Sequence, residues 1–133
     1  MSFGVSVTDI FTVIKLAKDI VQNCRHAPSH FAEASRVAQT LCVTLEGITV
    51  EYQNPDSPLQ KDDRTRVDFA IHLNNCDNAL KPLADLIEKH KRLVTPNKRV
   101  IDRMRFPKKE YLEFLGNLDF YTARLAEFLH TVR

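Results

Sequence analysis

The chain lacks tryptophan and has only three glycines in 133 residues. With so few glycines it holds no glycine-rich loop to cradle a phosphate, and no nucleophile elbow or HExxH metal motif occurs either. Cysteine is also sparse. Cys24, Cys42 and Cys76 form no CxxC pair, and an odd count reads as buried thiols and not as a disulfide framework. No apolar run is long and uncharged enough for a transmembrane span, because Asp9, Lys15, Lys18 and Asp19 interrupt the most apolar segment. No basic leader precedes that segment, and Ser2 stands where myristoylation needs glycine, so the expected compartment is the cytosol. Runs of β-branched residues are few, which favours helices over strands.

What the chain does have is helical periodicity. At 100° per residue, Val7, Ile10, Val13, Ile14, Ala17, Ile20, Val21 and Cys24 share one side of a first helix over 7–23. Phe11 and Leu16 flank that face, and Ser6 or Thr8 is the expected cap. Ser29 reads as the cap of a second helix that follows Phe31, Ala34, Val37, Ala38, Leu41, Leu45, Ile48 and Tyr52. Residues 53–58, with two prolines among Asn, Asp and Ser, read as a loop. A third helix starts near Lys61 or Asp62 and follows Phe69, Leu73, Cys76, Leu80, Leu83 and Ile87. Pro82 falls inside it and predicts a kink. A short basic helix is expected over 98–105. A last helix over 108–131 carries Tyr111, Leu112, Leu115, Leu118, Tyr121, Leu125, Phe128, Leu129 and Val132. The expected fold is one all-α domain over 1–133: an antiparallel four-helix bundle with a kinked third helix and a short extra basic helix. Leu41, Leu45, Phe69, Leu73, Leu80, Leu115 and Leu125 are its expected core.

The formal charge is +2, unevenly spread. Residues 89–109 hold nine cations and a single acid, Asp102, for a local charge of +8; the remainder carries −6. Three readings stand for this stretch. It is a solvated connector, or a site for anionic lipid headgroups built on Lys98, Arg99, Arg103, Arg105, Lys108 and Lys109, or a nucleic-acid contact. The last lacks a base-reading helix and interleaved aromatics, so no nucleic-acid partner is expected. His72 and Cys76 lie four apart on one helix, too few ligands for zinc, and Glu110 with Glu113 reads as a solvated face. No nucleophile, base and oxyanion site assembles, so neither an enzyme nor a metal or cofactor is expected.

The opening Met1-Ser2-Phe3-Gly4-Val5-Ser6-Val7-Thr8-Asp9-Ile10 resembles the start of HeLo-like N-terminal domains of fungal NLR-type (STAND) proteins. The resemblance continues through Leu16-Ala17, the Phe31, Leu41 and Leu45 spacing, Leu80 with Leu83, Arg103-Met104-Arg105-Phe106, and Leu125 with Phe128-Leu129. It departs at Phe106, where that family's pattern leads one to expect tryptophan. The resemblance implies a helical bundle similar to the N-terminal bundle of the mixed-lineage kinase-like necroptosis effector and to coiled-coil domains of plant resistance proteins. It further implies a cell-death or incompatibility effector that a sensor domain clusters, and whose N-terminal helix then attacks the plasma membrane. On that reading Phe3, Val7, Ile10, Phe11, Ile14, Leu16, Ile20 and Val21 form the membrane-active helix. The partners are other copies of the chain, anionic lipids and a C-terminal sensor domain or separate sensor protein. The chain is then one module of a larger protein, or a stand-alone form. The competing expectation is an oligomerisation or protein-interaction adaptor that never touches lipid.

Overall fold

The computed structural model describes residues 7–25, 29–90 and 106–133. The described residues are all-helical: α1 (Val7–Cys24), α2 (Ala32–Gln53), α3 (Pro58–Lys61), α4 (Asp63–His90) and α5 (Lys108–Val132). The four long helices form a helical bundle. α1 packs on α2 and α4, and α5 packs on the same two from the other side. Their buried stripes meet in one core that includes Ile10, Ala17, Phe31, Leu41, Leu45, Ile48, Phe69, Leu80, Leu83, Leu118 and Leu125.

Contacts at the helix ends set directions. Asn23, near the end of α1, donates to Glu88 near the end of α4 at 2.8 Å. Asp9 and Thr12, near the start of α1, share a groove with Ala70 to Asp77 of α4. These two helices therefore run side by side in the same direction. α2 and α5 are parallel too: Arg36 lies 4.0 Å from Asp119, and Gly47 faces Leu129 and Arg133.

Two boundaries differ from the expectation. Ser29 does not cap α2, which begins at Ala32 with Phe31 in the cap position and no side-chain cap. Phe31 is fully buried, so apolar burial, not a cap hydrogen bond, fixes where the chain enters α2. The segment read as a loop ends in a one-turn helix, α3. The Ser57 hydroxyl accepts from the Leu59 N–H at 3.2 Å, Pro58 occupies the first helical position, and Leu59 is wholly buried. Proline and serine signalled a turn there, and the same two residues start a helix when an apolar residue follows that the core can take.

At the start of α4, Asp62 accepts the Thr65 hydroxyl at 2.6 Å. That bond, then the backbone N–H groups of Arg64 and Thr65, holds its carboxyl below the ordinary aspartate range. α4 continues through Pro82 without interruption, although proline's missing N–H leaves the Asn78 carbonyl without its usual helical donor. In α5, Leu115 is half-buried and Leu112 exposed, whereas Thr122 is buried. The core stripe of α5 follows Tyr111, Leu118, Thr122, Leu125, Leu129 and Val132. Leu115 lies to one side of that stripe, which corrects its place in the expected core.

Candidate functional site

α1 turns a continuous apolar face inward. Ile10, Val13, Ile14, Ala17 and Ile20 are buried, Val7, Leu16 and Val21 are half-buried, and Phe11 alone of the large apolar residues is mostly exposed, at 55%. The reason is spacing: Phe11 lies about 100° round the helix from Ile10 and about 120° from Ala17, beyond the edge of the inward face. Of the expected membrane-active residues, Phe3 lies outside the described residues. The Cys42 thiol contacts the Ile14 carbonyl at 3.8 Å, and Lys18 lies 4.0 Å from Glu46, so the middle of α1 lies against the middle of α2. No described helix is long and apolar enough to cross a membrane.

Of the basic stretch, Lys98, Arg99, Arg103 and Arg105, with the expected short helix, lie outside the described residues. Lys108 and Lys109 are exposed in the first turn of α5. There they face the positive end of the helix dipole, a placement that raises the local positive potential, with Glu110 as the compensating acid. They do not adjoin the start of α1. Tyr111, one turn on, packs on Phe31 at the start of α2, with ring centroids 5.6 Å apart. The start of α2 adjoins the end of α1, because Val21, Cys24 and Arg25 share a groove with Ala32 and Ser35. The first residues of α1 are therefore at the far end of the bundle, about 27 Å away for an 18-residue helix. Among the described residues, Lys108 and Lys109 are not brought together with the start of α1.

At the basic end the structure assembles an aromatic cluster that the sequence reading missed. Phe106 packs edge-on against His30 (4.7 Å) and His90 (5.9 Å), and tilted against Phe31 (5.8 Å) and Tyr111 (5.6 Å). Phe106 thereby ties the residues just before α5 to the start of α2. The signal available was an aromatic beside Pro107 at the close of a charged stretch. Its partners come from three separate segments and carry no shared pattern. The buried Tyr111 hydroxyl approaches the Ala34 backbone but meets no partner in hydrogen-bonding geometry among the described residues. Burial pushes its pKa up to about 12.

His72 and Cys76 make separate contacts. Cys76 contacts the Tyr121 carbonyl at 3.5 Å, and His72 packs against the Phe128 ring at 5.2 Å. Burial raises the Cys76 thiol to about 12 and Cys24 to about 11, so both stay protonated and unreactive at neutral pH. Burial also lowers the His72 pKa, helped by Arg124 and opposed by Asp68 and Glu127. Among the described residues no group of three or more His, Cys, Asp or Glu side chains is placed to hold a metal ion.

Between α1 and α4 lies an open groove of about 290 Å³ with an apolar floor of Val13, Ala70 and Leu73. Its rim is polar: Asp9 and Thr12 on one side, Asn74 and Asp77 on the other. Lys81 pairs with Asp77 at 2.8 Å. Set against protein-family models, curated proteins and solved structures, the chain finds no match in any of the three.

Proposed function

We propose that this chain is a HeLo-like effector module of cell-death signalling, without enzymatic activity, that self-associates and then acts on the plasma membrane through α1. In this reading the four long helices form an up-and-down bundle in which consecutive helices are antiparallel, kinked in α4 at Pro82. The observation that supports it is the character of α1. Its inward face is apolar from end to end, and Ile10, Val13, Ile14, Ala17 and Ile20 are all buried against neighbouring helices. The same surface is equally suited to lipid, so bundle and membrane compete for it. One charged helix anchors weakly by itself, and clustering supplies the additional copies. A sensor domain or sensor protein does the clustering, and the 89–109 cations hold anionic headgroups.

The separation of Lys108 and Lys109 from the start of α1 supports an order of events. The basic end meets the membrane first, and α1 reaches it only after leaving the bundle. The test is leakage from vesicles of neutral phosphatidylcholine with and without anionic phosphatidylserine, using the domain fused to an inducible clustering tag. Clustered protein is expected to empty the anionic vesicles, and a variant lacking residues 1–5 is expected to stay folded and inactive. Clustered protein that self-associates but leaks neither vesicle would replace this reading with the adaptor one. The adaptor reading has its own support in the burial of the apolar face of α1 against α2 and α4.

A further inference from the structure

We propose that the outward face of α5 is self-complementary and pairs two copies of this chain through an antiparallel α5–α5 contact. The proposal rests on the self-association in the function proposed above and names the surface that carries it. Gly116 lies about 180° round α5 from the buried Leu125, and Leu112, Phe120 and Ala123 lie within about 40° of Gly116. This side of the helix points away from its own bundle. Leu112 and Phe120 are each 53% exposed, and Ala123 is exposed. Nothing packs within 4 Å of where a Gly116 Cβ would be. Two large apolar side chains therefore stand one turn either side of a flat spot. A flat spot made by glycine admits a bulky side chain from outside. With two copies of α5 antiparallel the fit is reciprocal: each Phe120 ring covers the Gly116 of the other copy.

The charges on the same face decide the occupant. In chain order they are Lys109, Glu113, Arg124 and Glu127, all exposed and all on one flank within about 80° of Gly116. Read backwards, that series is its own complement. The register that sets Phe120 against Gly116 also sets Lys109 opposite Glu127 of the other copy and Glu113 opposite its Arg124, each twice by symmetry. A symmetric parallel pairing would set like charges together, and a partner of one charge sign would match only half the series. Among the described residues Lys109 and Glu113 form no ion pair. Arg124 lies 3.6 Å from Glu127 and 5.0 Å from the centre of its own Phe120 ring. An exposed pair at that distance holds weakly, and the ring keeps the guanidinium on the contact flank. One group opposes the contact. Asp119, on the other flank, meets Asp119 of the other copy beside the two-fold axis, and Arg36 at 4.0 Å offsets it in part. The contact is isologous and closes at two copies.

Sedimentation velocity of the full chain tests this, with circular dichroism checking the helicity of each variant. The wild type is expected to form dimers and nothing larger as its concentration rises towards about 1 mM. Lys109→Glu and Glu127→Lys each bring like charges together at both ends of the contact, at exposed positions that leave the core intact. Each alone is expected to weaken dimerisation roughly tenfold at low salt. An equimolar mixture of the two restores every opposite-charge pairing and is expected to dimerise as the wild type does. Gly116→Gln fills the flat spot without adding charge and is expected to abolish dimers while leaving a monomer at least as stable. Asp119→Asn is expected to tighten the dimer about threefold. A wild type that stays monomeric overturns the proposal and leaves leakage by artificially clustered protein untouched. Dimers that survive Gly116→Gln overturn this surface, while self-association through another one stands. A mixture no stronger than its single variants, or an Asp119→Asn dimer no tighter than wild type, overturns the antiparallel register.

Discussion

Two glycines sit inside long helices, and the structure predicts opposite responses to the same substitution. Gly116 lies in α5 with nothing within 4 Å of where a Cβ would be. Gly116→Ala therefore gains helix propensity and lower unfolded-state entropy at no steric cost, about 1 kcal/mol. For a chain of this size that raises the melting temperature by about 3–4 °C. Gly47 lies on the side of α2 that Leu129 and Arg133 pack against. A Cβ there would come within 2.8 Å of the Arg133 guanidinium and 2.9 Å of a Leu129 methyl. The guanidinium ends a long flexible side chain and moves aside at little cost. Leu129 is buried and has packed neighbours in the core, so its displacement costs about 1–3 kcal/mol. That offsets or exceeds the propensity gain, and Gly47→Ala is expected to be neutral or destabilising. Paired thermal and urea melts, read by circular dichroism, measure both. Equal stabilisation of the two variants would refute the close α2–α5 approach, and no gain at Gly116 would refute the propensity argument.

Leu73→Ala removes a buried side chain from the α1–α4 contact and is expected to cost about 2–5 kcal/mol; a urea midpoint that barely moves would mean the register of α4 is wrong. Stability should fall as pH rises above 9, where unfolded thiols ionise, towards about 11 for Cys24 and about 12 for Cys76. The folded thiols hold their protons while the unfolded ones lose them, and Cys76→Ala should flatten the alkaline limb of a stability profile even where it lowers the whole curve. His72 works in the opposite sense. Its pKa is lowered in the fold, so stability is present above the unfolded value of about 6.5 and falls as pH drops below it. His72→Gln should remove that part of the acid limb in pH-dependent melts. Phe106→Ala removes the ring that joins His30, Phe31, His90 and Tyr111, at an expected cost of about 3–5 kcal/mol; protease cleavage within 91–105 should then accelerate, and unchanged cleavage would refute the anchoring role.

Local apolar spacing was enough to set the helices. Apolar spacing placed α1 and α5 to within a residue or so and identified Leu41, Leu45, Phe69, Leu73, Leu80 and Leu125 as core. An amphipathic stripe is a local property of consecutive residues and survives any arrangement of neighbours. What spacing could not decide was which edge of a stripe faces a neighbour. Leu112 and Leu115 satisfy the period of α5 as well as Leu118 does, yet Thr122 took the central position and Leu112 faces solvent, because α2 and α4 close on α5 from particular directions. The start of α2 went the same way: Ser29 offered a cap, and burial of Phe31 in a cluster drawn from three segments overrode it. The candidate sites divide likewise. The composition showed a basic stretch and a compensating acidic remainder, but Asp9 and Asp77 come to line one groove only because α1 packs beside α4. The same parallel packing puts the start of α1 and the basic turn of α5 at opposite ends. Distance along a chain says nothing of distance through a bundle, since each helix reverses or repeats the course of the one before.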